Sequence, residues 1–166
     1  KQMRSPQTTL NCGGQPLDLS RPRIMGIINL TPDSFYAASR QADIDDSLAT
    51  AGRMIAEGAD ILDLGAMSSR PGAELIGTEE EQDRLLPNLE AIVETYPEAI
   101  ISVDTIYAAT AKAAVAAGAR MINDISAGNL DDEMLSTIPR LGVPYVMMHM
   151  RGTPKDMQEQ TQYEDL

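Results

Sequence analysis

The stretch Ile24–Tyr36, IMGIINLTPDSFY, decides the fold. Ile24, Met25, Ile27, Ile28 and Leu30 make a nearly continuous apolar run, interrupted by Gly26. A run of that kind fits a strand covered on both faces, as in a parallel sheet. Asn29 then falls inside the run, and Thr31-Pro32-Asp33-Ser34 breaks it with turn residues. The carboxyl end of a buried strand is where parallel α/β proteins place their chemistry, and that is where this amide sits.

Downstream the same unit recurs. Residues 43–57 read as a helix with Ile44, Leu48, Ala51 and Ile55 on one face and Gly58 as its stop. A second strand, ADILDLG, runs over 59–65. Thr78 with Glu81 three residues on reads as a capping box for the next helix, whose buried face is Leu85, Leu89, Ile92 and Val93 and which ends at Pro97. A third strand covers 99–103 and leads into Asp104; an alanine-rich helix over 108–117 stops at Gly118. A fourth strand over 120–125 carries Asn123 and Asp124, a short helix spans 131–141, and a fifth strand spans 144–149. Upstream, Thr8-Thr9-Leu10, Gly13-Gly14 and Leu17-Asp18-Leu19 read as a β-hairpin placed to close one end of a barrel.

The resulting βαβαβαβαβ order forces parallel strands and right-handed crossovers. Two architectures fit: a doubly wound open sheet, nearly complete at this length, or the first five units of a (β/α)8 barrel, which needs about 250 residues. Length favours the open sheet. The missing helix after the fifth strand favours the barrel.

The chain has 166 residues, 43% of them apolar, which is enough for one domain with a core. Its formal net charge of −12 argues against a nucleic-acid surface and an anionic membrane as partners. The single cysteine, Cys12, makes no intrachain disulfide and suits a reducing cytoplasm. No apolar run approaches the length of a membrane helix.

The carboxyl sides of the strands carry Asn29, Asp63, Asp104, Asn123 and His149. One such residue is commonly a turn or helix cap. A series of them at one rim is costly unless a ligand uses it. Asp124 alternates with Asn123 and is expected to face the other way in a structural role.

NLTPDSF at 29–35, DLGAMSSRPG at 63–72, SVDT at 102–105, INDI at 122–125 and MMHMRGTP at 147–154 resemble, in order and spacing, the motifs of the dihydropteroate synthases. That resemblance implies a (β/α)8 barrel, of which residues 1–166 are a single pterin-binding domain, truncated at its carboxyl end and lacking the family's later site residues. It implies an enzyme that condenses 6-hydroxymethyl-7,8-dihydropterin diphosphate with p-aminobenzoate, giving 7,8-dihydropteroate and diphosphate. Asp104 and Asn123 would line the pterin pocket, where a carboxylate accepts from the pterin's amino group and ring N–H together. Met147 would pack on the pterin ring. Asn29 would contact a magnesium ion that otherwise keeps waters and substrate phosphates. Arg70 and Ser69 would meet substrate oxygens from one loop, with Asp33 in the facing loop pairing with or orienting Arg70. The family usually has glutamate where this chain has Met67. A homodimer in the full-length protein and a cytoplasmic location are the further expectations. The competing readings are a pterin-binding methyltransferase domain, which needs no pair of diphosphate loops, and a non-catalytic pterin-binding paralogue.

Overall fold

The computed structural model describes residues 8–30, 37–67, 75–153 and 156–163. Strands β1 (Thr9–Cys12) and β2 (Gln15–Asp18) form the expected antiparallel hairpin. Gly13 (φ +58) and Gly14 (φ +93) make its turn, because two consecutive left-handed residues match the twist of a two-residue hairpin loop. The main sheet follows: β3 (Met25–Asn29), β4 (Ile61–Gly65), β5 (Ile100–Asp104), β6 (Met121–Asp124) and β7 (Tyr145–Met147). Between these strands run α1 (Ala37–Ala56), α2 (Thr78–Thr95), α3 (Ala108–Ala116) and α4 (Met134–Leu141).

The strand order is β3-β4-β5-β6-β7, all parallel, each strand beside its successor in sequence. That order separates the two architectures. A doubly wound sheet reverses direction at a switch point and puts helices on both faces. This sheet never reverses, and one helical layer covers it.

Register shows which side chains share a face. One row holds Gly26, Ile28, Leu62, Leu64, Ile101, Val103 and Ile122. Most of these join Leu85, Leu89, Ile92, Ala108, Ala111 and Ala114 from the helices in the larger core cluster. Gly26 breaks the apolar run for a packing reason: a Cβ there would lie 2.7 Å from the Met54 sulfur of α1. The opposite row holds Ile27, Asn29, Asp63, Gly65, Ser102, Asp104, Met121 and Asn123, and faces what would be the lumen of a barrel. The hairpin plugs the amino end of that lumen. Cys12 and Leu17 pack on Ile61, Ile100 and Met121, where β4, β5 and β6 begin. Gln15 Nε2 donates to the Glu98 carbonyl at 3.1 Å, and Arg120 Nη1 donates to Gln15 Oε1 at 2.5 Å. The expected closure of one barrel end is therefore present, and it is the end away from the polar strand termini.

Helix α1 starts at Ala37, six residues before the expected 43, since 37–42 hold good helix formers but no large apolar residue to mark a face. Ile55 is 36% exposed; among the described side chains of that helix, Ser47 and Ala51 are the buried ones. The capping box at Thr78 is absent. Gly77 is the N-cap, with extended backbone and no side-chain cap, and Glu81 is turned into the protein instead. Pro87 sits inside α2. The ring removes one helical donor, and the Asn88 side-chain amide donates to the nearby Arg84 carbonyl at 2.9 Å while its oxygen accepts from Ser47. No described helix is long and apolar enough to cross a membrane.

Candidate active site

The inward row gathers its polar residues toward the carboxyl ends of the strands. Asn29, Gly65, Asp104 and Asn123 lie on one register line across β3, β4, β5 and β6. Asp63 and Ser102 lie one step deeper on the same face. The sheet's pleat, not sequence proximity, brings them together.

Asp104 is partly buried, and its carboxylate accepts no hydrogen bond among the described residues. Burial is the main reason its pKa stands at about 7, with the charges of Asp63, Glu81 and Asp124 adding to the effect. Beside it, Asn123 Nδ2 donates to Asp63 Oδ2 at 3.0 Å. That bond leaves the amide oxygen of Asn123 as a free acceptor among the described residues. Asp63 is 4% exposed, its other oxygen is buried without a partner, and so is the Ser102 hydroxyl. Buried polar groups left open beside an unpartnered carboxylate form a cradle of acceptors able to bind a flat donor-rich ring. Gly65 lies between Asn29 and Asp104 on that line, where a Cβ would make only ordinary contact with Asp104, 3.6 Å from its Oδ2.

The structure brings Asp104 and Asn123 together as expected. It does not bring Met147 to them. Met147 pairs with Asp124, one residue out of phase with Asn123, and is 55% exposed in the outward row. Val146 holds the inward register position instead. Asn29 is exposed at the end of β3, with no side-chain hydrogen bond to another described residue. Asp33, Ser69 and Arg70 lie outside the described residues.

Asp124 has the structural role expected of it. It is fully buried and accepts from the Ser126 amide and hydroxyl, both at 2.7 Å, from the Gly128 amide at 2.9 Å and from the Tyr145 hydroxyl at 2.6 Å. Burial and that carboxylate hold the Tyr145 phenol well above its ordinary range. His149 lies past β7, where its Nε2 is 3.2 Å from the Tyr163 hydroxyl and the Arg151 guanidinium stands 5.5 Å from the Tyr163 ring centre. Both residues tie down the segment after the strand. Sequence reasoning noted Asp63 but gave it no role, and it missed Glu81, whose three-residue spacing from Thr78 imitates a cap.

Fold and site together define a partial parallel α/β barrel with a small-molecule cradle at the carboxyl ends of its strands. Residues 25–166 match the pterin binding enzyme family, and the chain belongs to it. It is 46% identical over 165 residues to the mitochondrial folate synthesis bifunctional protein of Arabidopsis thaliana, covering 96% of this chain and 30% of that one. It is 41% identical over 153 residues to the dihydropteroate synthase of Escherichia coli K12, covering 92% of this chain and 54% of that one. Among solved structures, Xanthomonas albilineans dihydropteroate synthase with 4-aminobenzoic acid superposes with a TM-score of 0.81 at 41% identity, over 95% of this chain and 55% of that one. The chain thus spans about half, or less, of the length of these relatives, and its sheet is the corresponding part of their barrel.

Proposed function

We propose that this chain carries the pterin half of a dihydropteroate synthase, a transferase of folate biosynthesis. The reaction joins a 7,8-dihydropterin-6-ylmethyl diphosphate to p-aminobenzoate with loss of diphosphate. The observation that carries the reading is the Asp104 carboxylate, partly buried and without a hydrogen-bond partner among the described residues, next to the Asn123–Asp63 pair. A pterin presents an amino group and a ring N–H to such a carboxylate, and Asn123 has an acceptor to spare. The Xanthomonas structure with 4-aminobenzoic acid supports p-aminobenzoate as the second substrate.

The bond that breaks is a carbon–oxygen bond to a good leaving group, so the protein need not supply a nucleophile. Asp104 would hold the pterin and offset the positive charge that develops on it as diphosphate leaves. Arg70 and Ser69, with Asp33 orienting them, would meet the departing oxygens; these roles rest on family membership. No group of three or more His, Cys, Asp or Glu able to hold a metal occurs among the described residues. A magnesium ion bound mainly through diphosphate and water is compatible with that, and the exposed Asn29 amide, which has no side-chain partner among the described residues, fits as its single protein ligand. Such an ion would neutralise charge on the leaving diphosphate. A homodimeric full-length protein and a cytoplasmic location complete the proposal; the Arabidopsis relative is by name mitochondrial, which makes organelle import the competing location.

The test is calorimetric titration of the dihydropterin diphosphate into wild-type protein and D104N. Loss of a charge-assisted pair predicts weakening of about tenfold to a hundredfold. Equal affinities would sink the assignment.

A further inference from the structure

Behind Asp104 lies a second carboxylate that the proposed chemistry does not use. Glu81, in the first turn of α2, is fully buried. Its Oε2 accepts from the Thr105 hydroxyl at 2.9 Å, and Thr105 Oγ1 in turn accepts from the Tyr107 amide at 3.1 Å. Thr105 follows Asp104 directly, is 1% exposed, and its own amide donates to the Asn123 carbonyl at 3.0 Å. The turn leaving β5 is thus held from two sides, by Asn123 of β6 and by Glu81 of α2. Glu81 Oε1 is buried beside the buried Thr110 hydroxyl of α3, which favours the charged carboxylate as a donor would, although no bond of ordinary hydrogen-bond geometry joins the two. A leucine would fill this volume without the cost of burying a carboxylate. A capping role does not account for it, since Gly77 caps the helix without it.

We propose that Glu81 is a positioning residue for pterin binding: through the Thr105 hydroxyl it fixes the turn that presents Asp104 to the lumen. This rests on the reading of Asp104 as the pterin carboxylate. Electrostatics add a second consequence. The charged groups close enough to act on Asp104 are Asp63 on its own face, Glu81 of α2 and Asp124 on the opposite face of β6, and each disfavours a further negative charge on it. Burial holds the Glu81 carboxyl itself above its ordinary range, and Glu81 helps to raise the Tyr107 phenol. Glu81 therefore links the geometry of the Asp104 turn to its protonation.

Two substitutions separate these effects. E81Q keeps an acceptor for Thr105 and removes the charge; E81A removes both. The measurements are the titration midpoint of Asp104 by NMR of carboxyl-labelled aspartate, and the affinity for 6-hydroxymethyl-7,8-dihydropterin diphosphate between pH 5 and 9. In E81Q the Asp104 midpoint falls by about 0.5–1 unit while affinity above that midpoint stays within about twofold of wild type. In E81A affinity falls about tenfold or more at every pH. An E81A protein that binds as tightly as wild type overturns the proposal; if E81A fails to fold, T105V decides it, since it removes the hydroxyl link and keeps the Glu81 charge, and wild-type affinity in T105V overturns the proposal equally. If wild type binds no dihydropterin diphosphate, or D104N binds it unchanged, the pterin reading fails instead, and the NMR midpoint in E81Q still judges the coupling of Glu81 to Asp104.

Discussion

Asn123 donates to Asp63 at 3.0 Å across the intervening strand β5. The two residues stand on β6 and β4, on the same face, 60 positions apart in sequence. Side chains from alternate strands meeting in one layer is how the interior of a parallel barrel is filled. The bond fixes which way the Asn123 amide points, and so which of its atoms is left for a ligand. D63A should release that orientation and weaken dihydropterin diphosphate binding about tenfold, while D63N keeps an acceptor and should retain more of the affinity. Calorimetric titration of both variants checks the order; equal losses would mean that the charge, not the orientation, matters.

Asp104 also makes stability depend on pH. Its folded pKa of about 7 lies above the ordinary 3.8. Between those values the folded protein keeps a proton that the unfolded chain has released, so stability falls as pH rises through this window and is lowest, from this group, above 7. D104N removes the effect. Urea unfolding should show D104N gaining on wild type by up to about 4 kcal/mol between pH 4 and 8, with most of the change complete by pH 7. Parallel curves for the two proteins would contradict the burial argument.

The same carboxyl governs affinity. A ligand that donates two hydrogen bonds binds the ionised form, so binding releases a proton below pH 7. Affinity for the dihydropterin diphosphate should rise by up to about tenfold per pH unit below 7 and level off above it. The corresponding D104N series should lose that slope.

Magnesium is tested by comparing ligands with and without phosphates. Removing the metal with a chelator should weaken binding of the dihydropterin diphosphate and leave binding of the free 6-hydroxymethyl dihydropterin unchanged. N29A should reproduce the first effect in the presence of metal, since Asn29 is the single side chain proposed to touch it. A chelator effect of equal size on both ligands would place the ion elsewhere.

Asp124 offers a stability test away from the ligand. Y145F removes one of its four donors, the 2.6 Å phenol, and leaves a fully buried carboxylate less satisfied. We expect a loss of about 1.5–3 kcal/mol in urea unfolding, with pterin affinity within about twofold of wild type, because Asp124 faces the helices and not the lumen.

The sequence by itself determined the order of elements and the parallel sheet. Those depend on local patterns: the apolar run before Asn29, the Gly13-Gly14 turn, the alanine-rich stretch at 108–117, and crossovers long enough for helices. It also exposed the polar strand ends, because Asp104 and Asn123 break apolar runs at a fixed place. Tertiary structure alone decided which of those ends share a face. A one-residue change of phase sends a side chain to the opposite side of a strand, which is why Asn123 meets Asp63 while Met147 keeps company with Asp124. It also decided the role of Glu81, whose spacing from Thr78 is that of a cap but whose carboxylate turns inward to a threonine 24 residues away. Period and composition are local quantities, whereas register, the meeting of alternate strands and the packing of a helix on the sheet are set only when the whole sheet closes around its core.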